Sequence, residues 1–309
     1  MSSSFAQRLK EAIVAKKSPL IIGLDPDLAK FPPVLRATSE GDAEKAARAI
    51  LAFNCALIDA TCDLAAAVKP QAAFYEVYGS HGVRVLEETA AYARKKGLLV
   101  ILDAKRGDVP NTAQAYARAY LAPENETTCP ADALTVNPYL GRDSVEPFVR
   151  AAQENGKGIF VLVRTSNPGA SDLQDLTSRE TGHPLWQEVA SWVAAWAEAT
   201  RGNETYSPVG IVAGLTYPEE AALLRSLLPH SYLLLPGVGA QGGQIKDALP
   251  CFDKEGLGAL VVAARSVIYA YSRPPYKDRF TPDEFAAAAR EAAADLLAEL
   301  YAAGYKVGR

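Results

Sequence analysis

Thiols and imidazoles are scarce: the 309 residues include four cysteines and three histidines. Cys55 and Cys62 share a helical stretch, Cys129 and Cys251 stand alone, and His81, His183 and His230 are scattered. Without a Cys-x-x-Cys pair, a zinc site rich in thiolate or imidazole is not expected, and a chain of this length needs no disulfide framework. The thiols read as reduced, in a cytoplasmic protein. Long apolar runs are absent as well. Leu98 to Leu102 ends at Asp103 and Ala259 to Ala264 ends at Arg265, far short of the roughly 20 residues a membrane span needs. The opening MSSSFAQRLKEAIVAKKSPL has no uninterrupted apolar core, so no secretory signal is expected. An excess of basic residues is missing too. Lys and Arg number 32 against 36 Asp and Glu, a formal net charge of −4, which gives no field to draw the chain onto nucleic acid or an anionic membrane. The remaining composition, 49% hydrophobic and 22% charged, is that of a globular domain rather than a disordered or fibrous chain.

Short apolar runs alternate with Ala-rich amphipathic segments along the whole chain. The runs predict strands over 20–25, 66–69, 98–105, 133–138, 158–165, 208–214, 232–237 and 259–265. Helical patterns lie near 4–16, 42–63, 80–96, 111–121, 144–154, 184–200, 217–228 and 242–248. A last helix is predicted from Pro282 to Tyr301, with Thr281 as N-cap and proline in the first turn. Eight strand–helix units with no low-complexity linker suit one (β/α)₈ TIM barrel over residues 1–309, with an N-terminal helix and loop insertions. An open doubly wound sheet is the alternative. Segments 122–131, 166–182 and 271–281 are rich in turn-forming residues and read as loops.

The strand ends carry the chemistry. The first ends at Asp25, the second at Lys69, and the third in Asp103-Ala-Lys105-Arg-Gly-Asp108. The fifth runs into Arg164-Thr-Ser166-Asn-Pro-Gly, the seventh into Gly237-Val-Gly-Ala-Gln241-Gly-Gly, and the eighth into Ala264-Arg265-Ser. In a barrel these ends converge on one face, where active sites form. Strand alternation puts Ile101, Asp103 and Lys105 on one face, taken as the lumen, with Val100 and Leu102 toward the helices. Charges in a barrel mouth are costly unless paired, and Asp108, past a glycine turn, is positioned to return a second carboxylate to Lys105. A lysine between carboxylates suits a proton donor more than a Schiff base; a purely structural ion pair is the alternative. Gly237 to Gly242 matches the G-x-G-x-x-G pattern of dinucleotide sites, but it follows the seventh strand, and the next strand ends in Arg265 rather than an acid for a ribose. Glycine amides and a guanidinium suit a single phosphate better, against the alternative of a tight turn beside an unrelated arginine.

At these residues the sequence resembles the orotidine 5′-monophosphate decarboxylases, in their longer bacterial branch. The resemblance rests on Asp25, Val-Lys69-Pro, the Asp103 to Asp108 run, Thr-Ser166-Asn-Pro-Gly, Pro-Gly-Val-Gly-Ala-Gln241-Gly-Gly and Ala-Arg265-Ser. It implies a cofactor-independent lyase that converts orotidine 5′-monophosphate to uridine 5′-monophosphate and CO₂, the last step of de novo UMP synthesis. It further implies a charged network of Lys69, Asp103, Lys105 and Asp108, in which Lys105 protonates C6 and Asp103 sits beside the substrate carboxylate. Asp25 and Thr112 would contact the ribose. Ser166 would touch the pyrimidine and link to Gln241, and Gln241 with Arg265 would grip the phosphate. A homodimer with shared active sites is implied as well, with the region around 110–121 near the subunit interface. The sequence departs from shorter members at Ala264, where they often carry glycine, and in extra length at 122–131 and 166–206. Asn137 and Tyr139 end the fourth strand as substrate contacts or as a plain turn.

Loss of CO₂ leaves an sp² carbanion at C6, and no cofactor motif is evident in the sequence to act as an electron sink. A fixed ammonium at the developing anion is the electrostatic device that remains. Two rivals differ in chemistry. A metal-dependent sugar-phosphate lyase of the same superfamily, of the keto-gulonate-phosphate decarboxylase or hexulose-phosphate synthase type, needs an acid at the second strand end to hold Mg²⁺, where this chain has Lys69. A non-catalytic phosphate-ligand binding barrel would not need the charged network.

Overall fold

Pleating decides which side chains enter the barrel. In β1 (Leu20–Leu24) the residues Leu20, Ile22 and Leu24 pack outward against helices while Ile21 joins a separate apolar cluster inside, the period-2 alternation of a strand. The same rule sends Ala67 of β2 (Ala67–Pro70), Ile101 of β3 (Leu99–Arg106) and Ala133 of β4 (Ala133–Val136) inward. The remaining strands are β5 (Gly158–Arg164), β6 (Val209–Ala213), β7 (Leu233–Leu235) and β8 (Ala259–Ala263). In this computed structural model, which describes residues 3–308 apart from 40, 124–125, 127–128, 130 and 239–242, the eight strands pair in parallel in sequence order. Pairing of β8 with β1 closes the barrel, as the alternating pattern predicts, and rules out the open sheet.

The N-terminal helix Phe5–Lys16 plugs the floor. Phe5, Leu9 and Ile13 are buried in the inner cluster, and Phe5 meets Phe160 edge-on at 6.0 Å between centroids. Gly158 makes room for it, since a Cβ there would come within 2.2 Å of the Phe5 ring. The apolar inner faces therefore fill the barrel's lower part, and the polar ends of the strands stand above them.

Two expectations change. The segment expected to be helical near 242–248 is a seven-residue 3₁₀ helix, Ile245–Cys251; Pro250 lacks the N–H an α-helix would use and crowds the preceding turn. The segments 166–182 and 271–281, read as loops, contain the short helical turns Pro168–Ala170, Ser171–Gln174 and Tyr276–Asp278. A helix over Pro33–Ser39 was not foreseen. Among the described residues, no helix is long and apolar enough to cross a membrane.

Candidate active site

The third strand leaves its ladder at the point where the chemistry starts. Leu102 pairs with Leu134, but the next pair is Arg106 with Val136, so three residues of β3 lie opposite one of β4. Ile101 and Asp103 reach the lumen by ordinary pleating. Lys105 reaches it differently, through a bulge in which its own φ is +48°, a left-handed conformation that non-glycine residues seldom adopt. Simple alternation had predicted the right face for Lys105 by the wrong backbone.

Asp103 is the hub. Its Oδ2 accepts from Lys69 Nζ at 2.7 Å and Gln71 Nε2 at 3.1 Å, and its Oδ1 accepts from Lys105 Nζ at 2.6 Å and Thr135 Oγ1 at 3.0 Å. A carboxylate offers about four lone-pair sites, and all are taken. Burial pushes the Asp103 carboxyl up, but the Lys69 and Lys105 ammoniums outweigh it and hold the group well below the usual carboxylate range. Burial likewise works against the Lys69 ammonium, and Asp103 and Asp25 reverse it, so its net shift is upward. The Lys105 side chain keeps 44% of its exposure against 10% for Asp103, so Lys105 is the cation of the trio that faces open space.

That space is a cavity of about 720 Å³ at the C-terminal mouth of the barrel, lined by Asp25, Lys69, Asp103 and Lys105 together with Ser166 and Arg265. Asp25 follows β1, and its backbone carbonyl accepts from the Tyr269 hydroxyl at 2.9 Å. Its Oδ1 is buried with no partner. Burial is the main reason its carboxyl is raised above the usual value, opposed in part by Lys69. Arg265 opens the short helix Arg265–Ile268 beyond β8, is exposed, and forms no salt bridge among the described residues, although its charge acts on the Asp25 carboxylate. At its neighbour Ala264 the Cβ lies 2.5 Å from where a Cβ on Gly23 would be, so Ala264 requires the glycine in β1.

Not every candidate gathers here. Asp108 does not turn back to Lys105 within the chain; its Oδ1 instead accepts from Val109 N–H at 2.8 Å, at the start of helix Pro110–Leu121. Thr112 is exposed on that helix, and neither residue lines the cavity. Gln241 lies outside the described residues, with Gly239, Ala240 and Gly242 of the glycine run. Asn137 lines the cavity and also accepts from Tyr139 N–H at 3.1 Å, so it is both a turn residue and a wall of the site.

Arg164 is a strand-end charge with a different job. It is 1% exposed, pairs with Glu220 Oε2 at 2.6 Å and Asp175 Oδ1 at 2.7 Å, and lies 3.9 Å over the Tyr217 ring. It ties the end of β5 to the loop that carries Ser166 and to helix Pro218–Leu227. In the same loop Gln174 brackets Thr165 with hydrogen bonds of 3.0 and 2.7 Å. The extra length after Ser166 covers the mouth: Leu173, Leu185 and Trp186 form part of the cavity wall. Sequence reasoning missed Gln71 and Thr135, neutral residues whose importance shows only once Asp103 is in view.

Residues 18–275 match the Orotidine 5'-phosphate decarboxylase / HUMPS family. The chain belongs to this family. Relatives named orotidine 5'-phosphate decarboxylase agree along most of their length. The one from Rhodopirellula baltica is 45% identical over 276 residues, covering 88% of this chain and 91% of the relative. The one from Haloarcula marismortui is 42% identical over 292 residues, 94% of this chain and 96% of the relative. The solved OMP decarboxylase of Leishmania donovani is 33% identical, with a TM-score of 0.73 over 97% of this chain and 98% of that one. The orotidine 5'-phosphate decarboxylase / HUMPS assignment thus agrees with the resemblance carried by the strand-end motifs.

Proposed function

We propose that the chain decarboxylates orotidine 5′-phosphate to uridine 5′-monophosphate and CO₂, in pyrimidine biosynthesis. The observation that carries this reading is the Lys69–Asp103–Lys105 trio at the cavity floor, with Lys105 turned to the open space. The C6–carboxyl bond breaks, its electron pair stays on C6, and CO₂ leaves. Lys105 Nζ delivers a proton to C6, and solvent later returns one to the amine. Asp103 keeps the ammonium in place through the 2.6 Å contact, so the charge is fixed before the anion develops and little reorganisation is needed. With its lone pairs occupied by the protein, Asp103 meets a substrate carboxylate as a repelling charge. The Asp25 carboxylate, with its Oδ1 free of any protein partner, suits a ribose hydroxyl, and Ser166 is at hand for the pyrimidine. The exposed Arg265, with Gln241, suits the phosphate, whose binding energy can hold the reacting ring in a closed site.

The metal-dependent alternative is disfavoured by charge: the Asp103 carboxylate is held by two ammoniums, and a divalent cation there would meet both. We also propose a homodimer in which Asp108 and Thr112 serve the second subunit's site. Both lie outside their own cavity, and the exposed apolar side chains of Val77, Val109 and Tyr139, at 75%, 53% and 72% exposure, flank the same end of the barrel. The test of the catalytic reading is Lys105→Ala. Turnover of orotidine 5′-phosphate should fall by more than about a hundredfold, since general acid catalysis alone contributes 10²–10⁴, while circular dichroism stays that of the folded protein. A variant that keeps more activity than that removes Lys105 from the proton transfer.

A further inference from the structure

Thr135 sits where the β3 bulge, the Asp103 carboxylate and the cavity meet. It is the β4 residue between Leu134 and Val136, the two positions across which the ladder with β3 jumps register. The jump leaves the consecutive N–H groups of Ala104 and Lys105 without a ladder carbonyl. Both donate to Thr135 Oγ1, at 3.0 and 2.9 Å. A hydroxyl has two acceptor sites and one proton. With both acceptor sites filled by backbone N–H, its proton has one direction left, and there Asp103 Oδ1 lies at 3.0 Å. The side chain is 1% exposed, so no bulk water stands in for any of the three bonds.

The same oxygen of Asp103 receives the Lys105 ammonium at 2.6 Å. One hydroxyl therefore holds both ends of the lysine's placement. It fixes the backbone N–H of Lys105, whose φ of +48° is otherwise unfavourable, and it fixes the carboxylate on which the ammonium rests. Gln71 does the matching service for the other oxygen, through its single bond to Oδ2, but it has no hold on the bulge.

We propose that Thr135 is a positioning residue for the decarboxylation, acting through Lys105 and Asp103: its hydroxyl locks the left-handed bulge and so sets where the ammonium stands. The role rests on the catalytic reading above. Misplacing a reacting group by about 1 Å can cost 10²-fold in rate without affecting how the rest of the substrate is held. A merely structural threonine would instead change stability and all ligand affinities together.

The test is a series at one position. Thr135→Val keeps the shape and removes the hydroxyl; Thr135→Ser keeps the hydroxyl; Thr135→Cys offers a weaker acceptor at similar size. In Thr135→Val, kcat for orotidine 5′-phosphate is expected to fall about a hundredfold while Kd for uridine 5′-monophosphate changes less than threefold. Thr135→Ser recovers most of the lost rate, and Thr135→Cys falls between. Should Thr135→Val not fold, the serine and cysteine variants still have to rank in that order. A kcat in Thr135→Val within threefold of the parent overturns the proposal, as does a parallel loss of kcat and affinity that serine does not relieve. A crystal structure of Thr135→Val, or of Thr135→Cys if valine does not fold, separates this from the catalytic reading. If Lys105 keeps its left-handed backbone and its contact with Asp103 there, the positioning role is wrong whatever the substrate; an inactive parent protein contradicts the catalytic reading alone.

Discussion

Two aspartates at the mouth of one barrel have opposite relations to pH, and the cause is their neighbours. The two ammoniums hold Asp103 below its usual range. Its contribution to stability is present above the unfolded carboxyl's value and is lost as pH falls through the depressed folded value. Asp25 is half-buried, with its Oδ1 shut off from solvent and unpartnered, and its carboxyl is raised. Above the unfolded value the folded state then binds more protons than the unfolded one, so stability falls as pH rises through the folded value. At neutral pH this charge opposes folding. Asp25→Asn is accordingly expected to raise the Tm of the ligand-free protein at pH 7 while weakening nucleotide binding. A lower Tm in that variant, measured by calorimetry without ligand, contradicts the direction of the shift. Asp25, Lys69, Asp103 and Lys105 were legible in the sequence because a charge that ends an apolar strand has no packing reason to be there. Thr135 and Gln71 were not, because a threonine inside a strand reads as a good β-former, and its three hydrogen bonds arise from a register jump that no local pattern announces.

The elements followed from their patterns wherever packing and pattern agree. All eight strands were legible as short apolar runs, and in β3 simple alternation put Ile101 inside with Val100 and Leu102 outside. What failed was local: a proline turned an expected α-helix into a 3₁₀ helix, and turn-rich segments hid short helices that wall the cavity. Arg164 shows the limit from the other side. It stands at a strand end like the site residues, yet it is buried as a tie between β5, the Ser166 loop and the helix Pro218–Leu227. Removing one member of a buried ion pair costs about 3–5 kcal/mol when the orphan stays buried. Here Asp175 and Glu220 keep 44% and 29% exposure and can return to water. Arg164→Ala should therefore destabilise the protein by less, about 1–3 kcal/mol. Because the tie holds the loop that carries Ser166, KM for the nucleotide should rise more than kcat falls. Denaturant melts and steady-state kinetics on the same preparation check both; an unchanged KM removes Arg164 from the ordering of that loop.

On the scale of the molecule, the barrel is divided by height. The plug of Phe5, Leu9 and Ile13 and the apolar strand interiors form its floor, and the charged network stands above them at the mouth. Asp108 and Thr112 remain outside that mouth, which sets up a direct test of shared sites. Lys105→Ala and Asp108→Ala chains, each inactive alone, are unfolded together and refolded as a mixture. In a mixed two-fold dimer with shared sites, one site inherits both lesions and the other neither. Random pairing makes half of the dimers mixed, so about a quarter of parental activity should return. If Asp108 serves its own chain, every site keeps a lesion and no mixing ratio restores activity. A simpler measurement tests the decarboxylation itself. Purified protein is given orotidine 5′-phosphate in the presence of a strong chelator, and uridine 5′-monophosphate and CO₂ are quantified together. One of each is expected per substrate consumed, at a rate the chelator does not lower. Absence of turnover, or turnover that the chelator abolishes and added Mg²⁺ restores, would contradict that expectation.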